Sequence, residues 1–143
     1  MTWLGYALMS AVAAAITAIL AKIGVEGVPS TLATAIRTVV VAVFAWMMVI
    51  ALGQQRVLPD VSRRTLTFLM LSGLATGISW LAYFRALQMA PASWVAPIDK
   101  LSLPLTIILA ALLLREPVNW QVALGVAMMT LGGLVIWYWS PTA

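Results

Sequence analysis

The sequence of 143 residues has no cysteine and no histidine, and only 8% of it is charged. Without cysteine there is no disulfide framework and no thiolate chemistry. Without either residue the usual zinc sites are excluded, and so are Ser-His-Asp and Cys-His nucleophilic sites. No metal, no cofactor and no enzyme chemistry is therefore expected. Acidic residues are the scarcest charges: four Asp and Glu stand against eight Lys and Arg, for a net charge of +4. That excess is not a basic patch but a handful of charges on an apolar chain. A soluble domain carries about 25% charged residues. Here 64% of residues are hydrophobic, and the mean hydropathy is +1.06. There is too little polar surface to cover a water-exposed globule. A soluble globular enzyme, a disordered chain and a nucleic-acid-binding domain are excluded.

What is present is long apolar runs. A helix needs about 20 apolar residues to cross the hydrocarbon core of a bilayer. Cutting at charges, turn residues and prolines gives five such runs, at 3–21, 32–52, 66–87, 94–114 and 120–139. Backbone groups in lipid must be satisfied within the element, and these runs are too long for barrel strands. The predicted fold is all-α, a single polytopic bundle of five transmembrane helices over 1–143, in contact with membrane lipid. The start, Met1-Thr2-Trp3-Leu4, lacks the basic flank of a cleaved signal peptide. The first run is expected to remain a span.

The connections are short. Gly24, Gly27 and Pro29 suit a helix stop and a turn. The longest polar stretch, 53–64, reads as a solvated loop. A Pro-centred turn follows the third run. Arg115-Glu116-Pro117-Val118-Asn119 forms a charged turn, with Asn119 placed to cap the last helix. No internal repeat is visible. Trp3, Trp94, Trp120, Trp137, Tyr138 and Trp139 flank the runs, as an interfacial aromatic belt does. Trp46, Trp80 and Tyr83 lie deeper and are expected to face other helices or a cavity. Gly73 and Gly77 form a G-x-x-x-G that suits close helix contact, within the chain or between two copies.

Five spans place the two ends of the chain on opposite sides of the membrane. One side carries Arg56, Arg63, Arg64 and Arg115. The other carries Lys22 and Arg85, and Arg37 and Lys100 if deeper residues are included. The bias that normally fixes orientation is weak. Lys22, Glu26, Arg37, Arg85, Asp99 and Lys100 all fall toward one membrane face. Arg37 and the Asp99-Lys100 pair lie about five residues inside their runs, a depth of roughly 8 Å. Facing lipid, each such charge costs up to about 2.5–3.5 kcal/mol. Arg37 therefore needs a counter-ion from another helix or from a ligand. Asp99 is the first candidate and Glu26 the second. Adjacent residues on a helix point apart, so Asp99 and Lys100 are not expected to pair directly. Two readings stand: a structural ion pair between helices, or a substrate or proton site.

Pro97 and Pro104 bracket Asp99, Lys100 and Ser102 in the fourth run. Each proline removes a backbone donor and disturbs the preceding turn. Irregular backbone at depth is tolerated only against protein or a water-filled cavity. This segment is the expected hinge or binding site.

The ordered set Trp80-Leu81-Ala82-Tyr83-Phe84-Arg85-Ala86-Leu87, Val95-Ala96-Pro97-Ile98-Asp99-Lys100-Leu101-Ser102, then Leu114, Glu116, Trp120, Gly125 and Gly132, resembles the EamA family of the drug/metabolite transporter superfamily. Lys22, Gly24 and Arg37 upstream match as well. The resemblance spans nearly the whole chain, and it is to the family's single-repeat, five-helix members. It implies secondary transport of small metabolites through two inverted repeats. With one repeat and an odd helix number, a second copy must insert upside down, giving an antiparallel homodimer. Trp80, Tyr83, Asp99 and Ser102 are expected to line the substrate cavity, with Arg37 and Lys100 there to balance Asp99 or to attract an anionic group. Asp99 and Glu116 are the candidate coupling carboxylates. The expected location is a prokaryotic inner membrane. The rival readings are a non-transporting membrane subunit and a lipid-flippase component that needs a partner chain.

Overall fold

Five helices long and apolar enough to cross a membrane order the computed structural model, which describes residues 2–140. In sequence they are α1 (Trp3–Gly24), α2 (Ser30–Ala51) and α3 (Arg63–Met89), then a fourth span built from α4 (Ala92–Asp99), α5 (Ser102–Leu109) and a π-helical turn (Ala110–Leu114), and last α6 (Trp120–Trp139). No strand occurs among the described residues. The protein is an all-α polytopic membrane protein in contact with lipid, as the apolar runs predict.

The helix ends follow local chemistry. Gly27, at φ 73°, takes the left-handed backbone of the turn after α1. Gly53, at φ 68°, does the same after α2. The polar stretch that follows is not a simple loop, because Gln54–Asp60 winds into a 3-10 helix. α3 then starts three residues before its apolar run. The cause is Ser62, whose Oγ accepts the Thr65 N–H at 3.0 Å, an N-cap that carries Arg63 and Arg64 into the helix. Asn119 caps α6 as predicted, with Oδ1 accepting the Val122 N–H at 2.9 Å.

Several threonine hydroxyls inside the spans are satisfied locally. Thr34 and Thr38 each donate to the carbonyl four residues back, at 2.8 Å. Thr76, Thr106 and Thr130 do the same. A back-bonded threonine presents mainly its methyl group outward, which suits an apolar surrounding.

Packing divides the chain into two units. In the unit Leu20–Met89, α2 and α3 run antiparallel, with the start of α2 beside the end of α3. Val25, Thr34, Phe84 and Leu87 are its buried residues. In the other unit, α4 and α5 pack on α6. Val95 and Gly133 are buried there. A Cβ on Gly133 would lie 3.1 Å from Leu101 Cδ2, so glycine permits this approach.

Few other apolar side chains are covered within the chain. Leu74, Ile78 and Leu112 are about two-thirds or more exposed. In water this surface would be untenable, but in hydrocarbon it costs nothing. Trp46, expected to face protein, is exposed on α2. Gly73 and Gly77 have no heavy atom within 4 Å of where a Cβ would sit. Their small face is not closed by another helix of the unit Leu20–Met89. The aromatic belt is at helix ends: Trp3 opens α1, Trp120 opens α6, and Trp137, Tyr138 and Trp139 close it.

Candidate functional site

Three local arrangements contain the charged residues of the spans. The first joins α2 and α3. Arg37 projects from the second turn of α2, and its guanidinium carbon lies 3.3 Å from the centroid of the Trp80 ring. Phe84, one turn further along α3, is 5.9 Å from the same carbon. The rings hold one another edge-on: Trp80 and Tyr83 have centroids 5.7 Å apart, and Trp80 and Phe84 5.6 Å apart. Phe84 is buried, and Arg37, Trp80 and Tyr83 are half-buried. The helical spacing of 80, 83 and 84 puts the three rings on one face of α3. Electrostatic attraction to the ring quadrupole is the main partner the fold gives Arg37. Within the unit Leu20–Met89 no carboxylate lies within ion-pair distance of Arg37.

The second arrangement closes the same unit at one end. Lys22 donates to the Leu87 carbonyl at the C-terminal end of α3, where a cation is favoured. Gln88 Nε2 donates to the Val25 carbonyl at 3.2 Å and to the Val28 carbonyl at 2.6 Å. Its Oε1 accepts from Arg85 Nη1 at 3.3 Å. Gln88 thus ties the α1–α2 turn to α3. A cavity of about 620 Å³ opens here, with Lys22, Glu26, Arg85 and Gln88 in its wall. The sequence reading grouped Lys22, Glu26 and Arg85 but missed Gln88. A glutamine near a helix end carries no signal until the carbonyls it meets are known.

The third arrangement is the break in the fourth span. α4 ends at Asp99 and α5 begins at Ser102. Pro97 lies in the last turn of α4 and Pro104 in the first turn of α5, where its missing donor is tolerated. Tight i to i+3 bonds satisfy the backbone between them, from Lys100 N–H to Pro97 O at 3.2 Å and from Leu101 N–H to Ile98 O at 3.0 Å. Asp99 and Lys100 do pair, with Nζ 3.4 Å from Oδ2. The expectation that they point apart leaves out the reach of the long, flexible Lys100 stem, which brings Nζ round the i to i+3 turn to Oδ2. Ser102 is exposed at the start of α5.

The structure brings Arg37, Trp80 and Tyr83 together in one cluster, and Asp99, Lys100 and Ser102 together in another. Glu116 belongs to neither. It sits exposed in the turn after the π-helical segment, next to Arg115, whose φ of 56° is left-handed. The Glu116 N–H donates to the Ala110 carbonyl at 3.3 Å, while its carboxylate makes no ion pair with Arg115. An apolar groove of about 610 Å³ between α5 and α6, lined by Pro104, Ile107, Ile108 and Leu131 among others, carries no charge.

Comparison of the sequence with known proteins identifies its family. The profile of the EamA-like transporter family matches residues 1–138. A protein of Sinorhizobium sp, described as an uncharacterized transporter in the cobO 3' region, is 47% identical over 135 residues, covering 94% of this chain and 96% of the relative. No solved structure matches the chain.

Proposed function

The chain belongs to the EamA-like transporter family, and from that premise we propose that it is a secondary transporter of small metabolites rather than an enzyme. It works by alternating access as an antiparallel homodimer in a prokaryotic inner membrane. The observation that carries this reading is the interrupted fourth span, with Asp99 and Lys100 at the break between Pro97 and Pro104. Discontinuous helices bearing charge at membrane depth are a recurrent device for binding and gating in transporters. Trp80, Tyr83, Arg37, Asp99, Lys100 and Ser102 line the substrate path. The two prolines flank the hinge, and Asp99, with Glu116 as the second candidate, carries any coupling proton.

The homodimer rests on different support. The described residues hold five spans, the size of a single repeat. The chain's basic residues are nearly balanced between the two sides, so no strong signal fixes one orientation. The small face of Gly73 and Gly77 is uncovered within the unit Leu20–Met89. The Sinorhizobium relative is matched over almost its full length, so it too is of one-repeat size. In an antiparallel pair the one-sided charge cluster occurs twice, once toward each face, as alternating access needs.

Counterflow of radiolabelled metabolites in proteoliposomes tests the transport reading. Flux above empty liposomes is expected for at least one small polar or amphipathic metabolite, and Asp99→Asn should reduce it. Unchanged flux and unchanged pH dependence in that variant would remove Asp99 from coupling. A complete lack of flux across the screen would favour a non-transporting subunit or a flippase component.

A further inference from the structure

The Arg37 cluster bears on the charge of the substrate. Arg37 lies within the apolar length of α2, at the second turn, with Val40 and Val41 on the following turn. A guanidinium at that depth is stable only with a partner that answers its charge. The structure supplies the Trp80 face at 3.3 Å and the Phe84 ring at 5.9 Å. Stacking on a ring uses the flat face of the guanidinium. Its five N–H donors radiate in the plane and remain available at the edge. Within the unit Leu20–Met89 no carboxylate meets Arg37, and its side chain forms no hydrogen bond there. The ring therefore fixes the orientation of a fork of donors without neutralising it.

A planar fork of this kind matches a carboxylate or phosphate in bidentate fashion. The neighbouring surface is aromatic, from Trp80 and Tyr83, both half-buried. It suits an apolar body attached to the anion. We propose that Arg37 is the anchor for a small organic anion, a carboxylate or phosphate carried on an apolar group, with Trp80 as the platform that positions the guanidinium. This rests on the transport reading above and specifies the charge of its substrate. Arg37 contacts the ligand, whereas Trp80 acts partly through Arg37.

The test uses the full-length protein in nanodiscs of zwitterionic lipid and a matched set of probes: benzoate, phenyl phosphate, uncharged benzamide and cationic benzylamine. Binding is read by calorimetry, so it does not depend on flux. Benzoate or phenyl phosphate should bind at least tenfold more tightly than benzamide, and benzylamine should bind more weakly still. Arg37→Gln should abolish the preference, and Arg37→Lys should retain part of it. Trp80→Leu should weaken anion binding while keeping the order of the probes. Tighter binding of the neutral or cationic probe, an unchanged preference in Arg37→Gln, or no binding of any anionic probe would each overturn the proposal. Anion binding without counterflow would leave the Arg37 site standing and defeat the transport reading. Counterflow of neutral or cationic metabolites, untouched by Arg37→Gln, would do the reverse.

Discussion

Arg37 of α2 stacks on Trp80 of α3, with 3.3 Å between the guanidinium carbon and the ring centroid. These residues are 43 positions apart, and the contact holds the start of α2 against the end of α3. It places a cation among apolar residues with a face-on partner and its edge donors open. Both the stability of the α2–α3 pair and the proposed anion site depend on it.

A desolvated cation–π contact is worth about 2 kcal/mol. In a double-mutant cycle, Arg37→Gln and Trp80→Leu are expected to show a coupling of that order. Equilibrium unfolding in mixed micelles measures it. Strict additivity would mean that the stack contributes nothing to the fold.

Gln88 donates to two carbonyls of the α1–α2 turn, at Val25 and Val28. Gln88→Leu leaves both acceptors without that donor and is expected to cost about 1–3 kcal/mol. Gln88→Glu should do at least as much harm, because a carboxylate cannot donate to them. The same unfolding measurement checks both. A Leu variant as stable as the parent would show that the turn finds other donors.

Gly133 and the Gly73–Gly77 pair separate packing inside the chain from packing between copies. A Cβ at Gly133 meets Leu101 at 3.1 Å, whereas those at Gly73 and Gly77 meet nothing. Gly133→Val is expected to destabilise the isolated chain by about 1–3 kcal/mol through overpacking. Gly73→Leu with Gly77→Leu should leave the isolated chain folded but lower the dimer fraction, read by crosslinking or single-molecule photobleaching in liposomes. An unchanged dimer fraction would take this face out of the interface.

Arg115 holds φ 56°, a region that costs a side-chain-bearing residue roughly 1 kcal/mol or more. Arg115→Gly removes that cost and is expected to stabilise the turn after the π-helical segment. Arg115→Ala, which keeps a Cβ, should not. Thermal unfolding of the two variants gives the comparison.

Much of the fold is legible from residue pattern alone, because a bilayer leaves few choices for a long apolar run. The five spans, the turn at Gly27 and the Asn119 cap all follow from local sequence. The break between Pro97 and Pro104 does too, since each proline acts within one helical turn. The start of α3 was set too late because Ser62 lies among charges, outside the apolar run that marked the span. The Asp99–Lys100 pair is not legible from helical spacing, because the flexible lysine stem reaches round the turn to its neighbour. The partner of Arg37 was not legible at all. Charge matching points to Asp99 or Glu26, whereas within Leu20–Met89 the structure gives it an aromatic ring. Only the approach of α2 to α3 reveals Trp80 in that role.

Membrane topology in intact cells tests the central claim most directly. Single cysteines at Gln55 and Ser93, on opposite sides by the five-span path, introduce the only thiols, since the chain has none of its own. Each is labelled with an impermeant maleimide before and after the membrane is opened. Each site is expected to label partly from outside and partly only after opening, because copies insert in both directions. If Gln55 were reached only after opening and Ser93 only from outside, or the reverse, orientation would be fixed. A homodimer could not then rebuild two inverted repeats, and the antiparallel transporter would be contradicted.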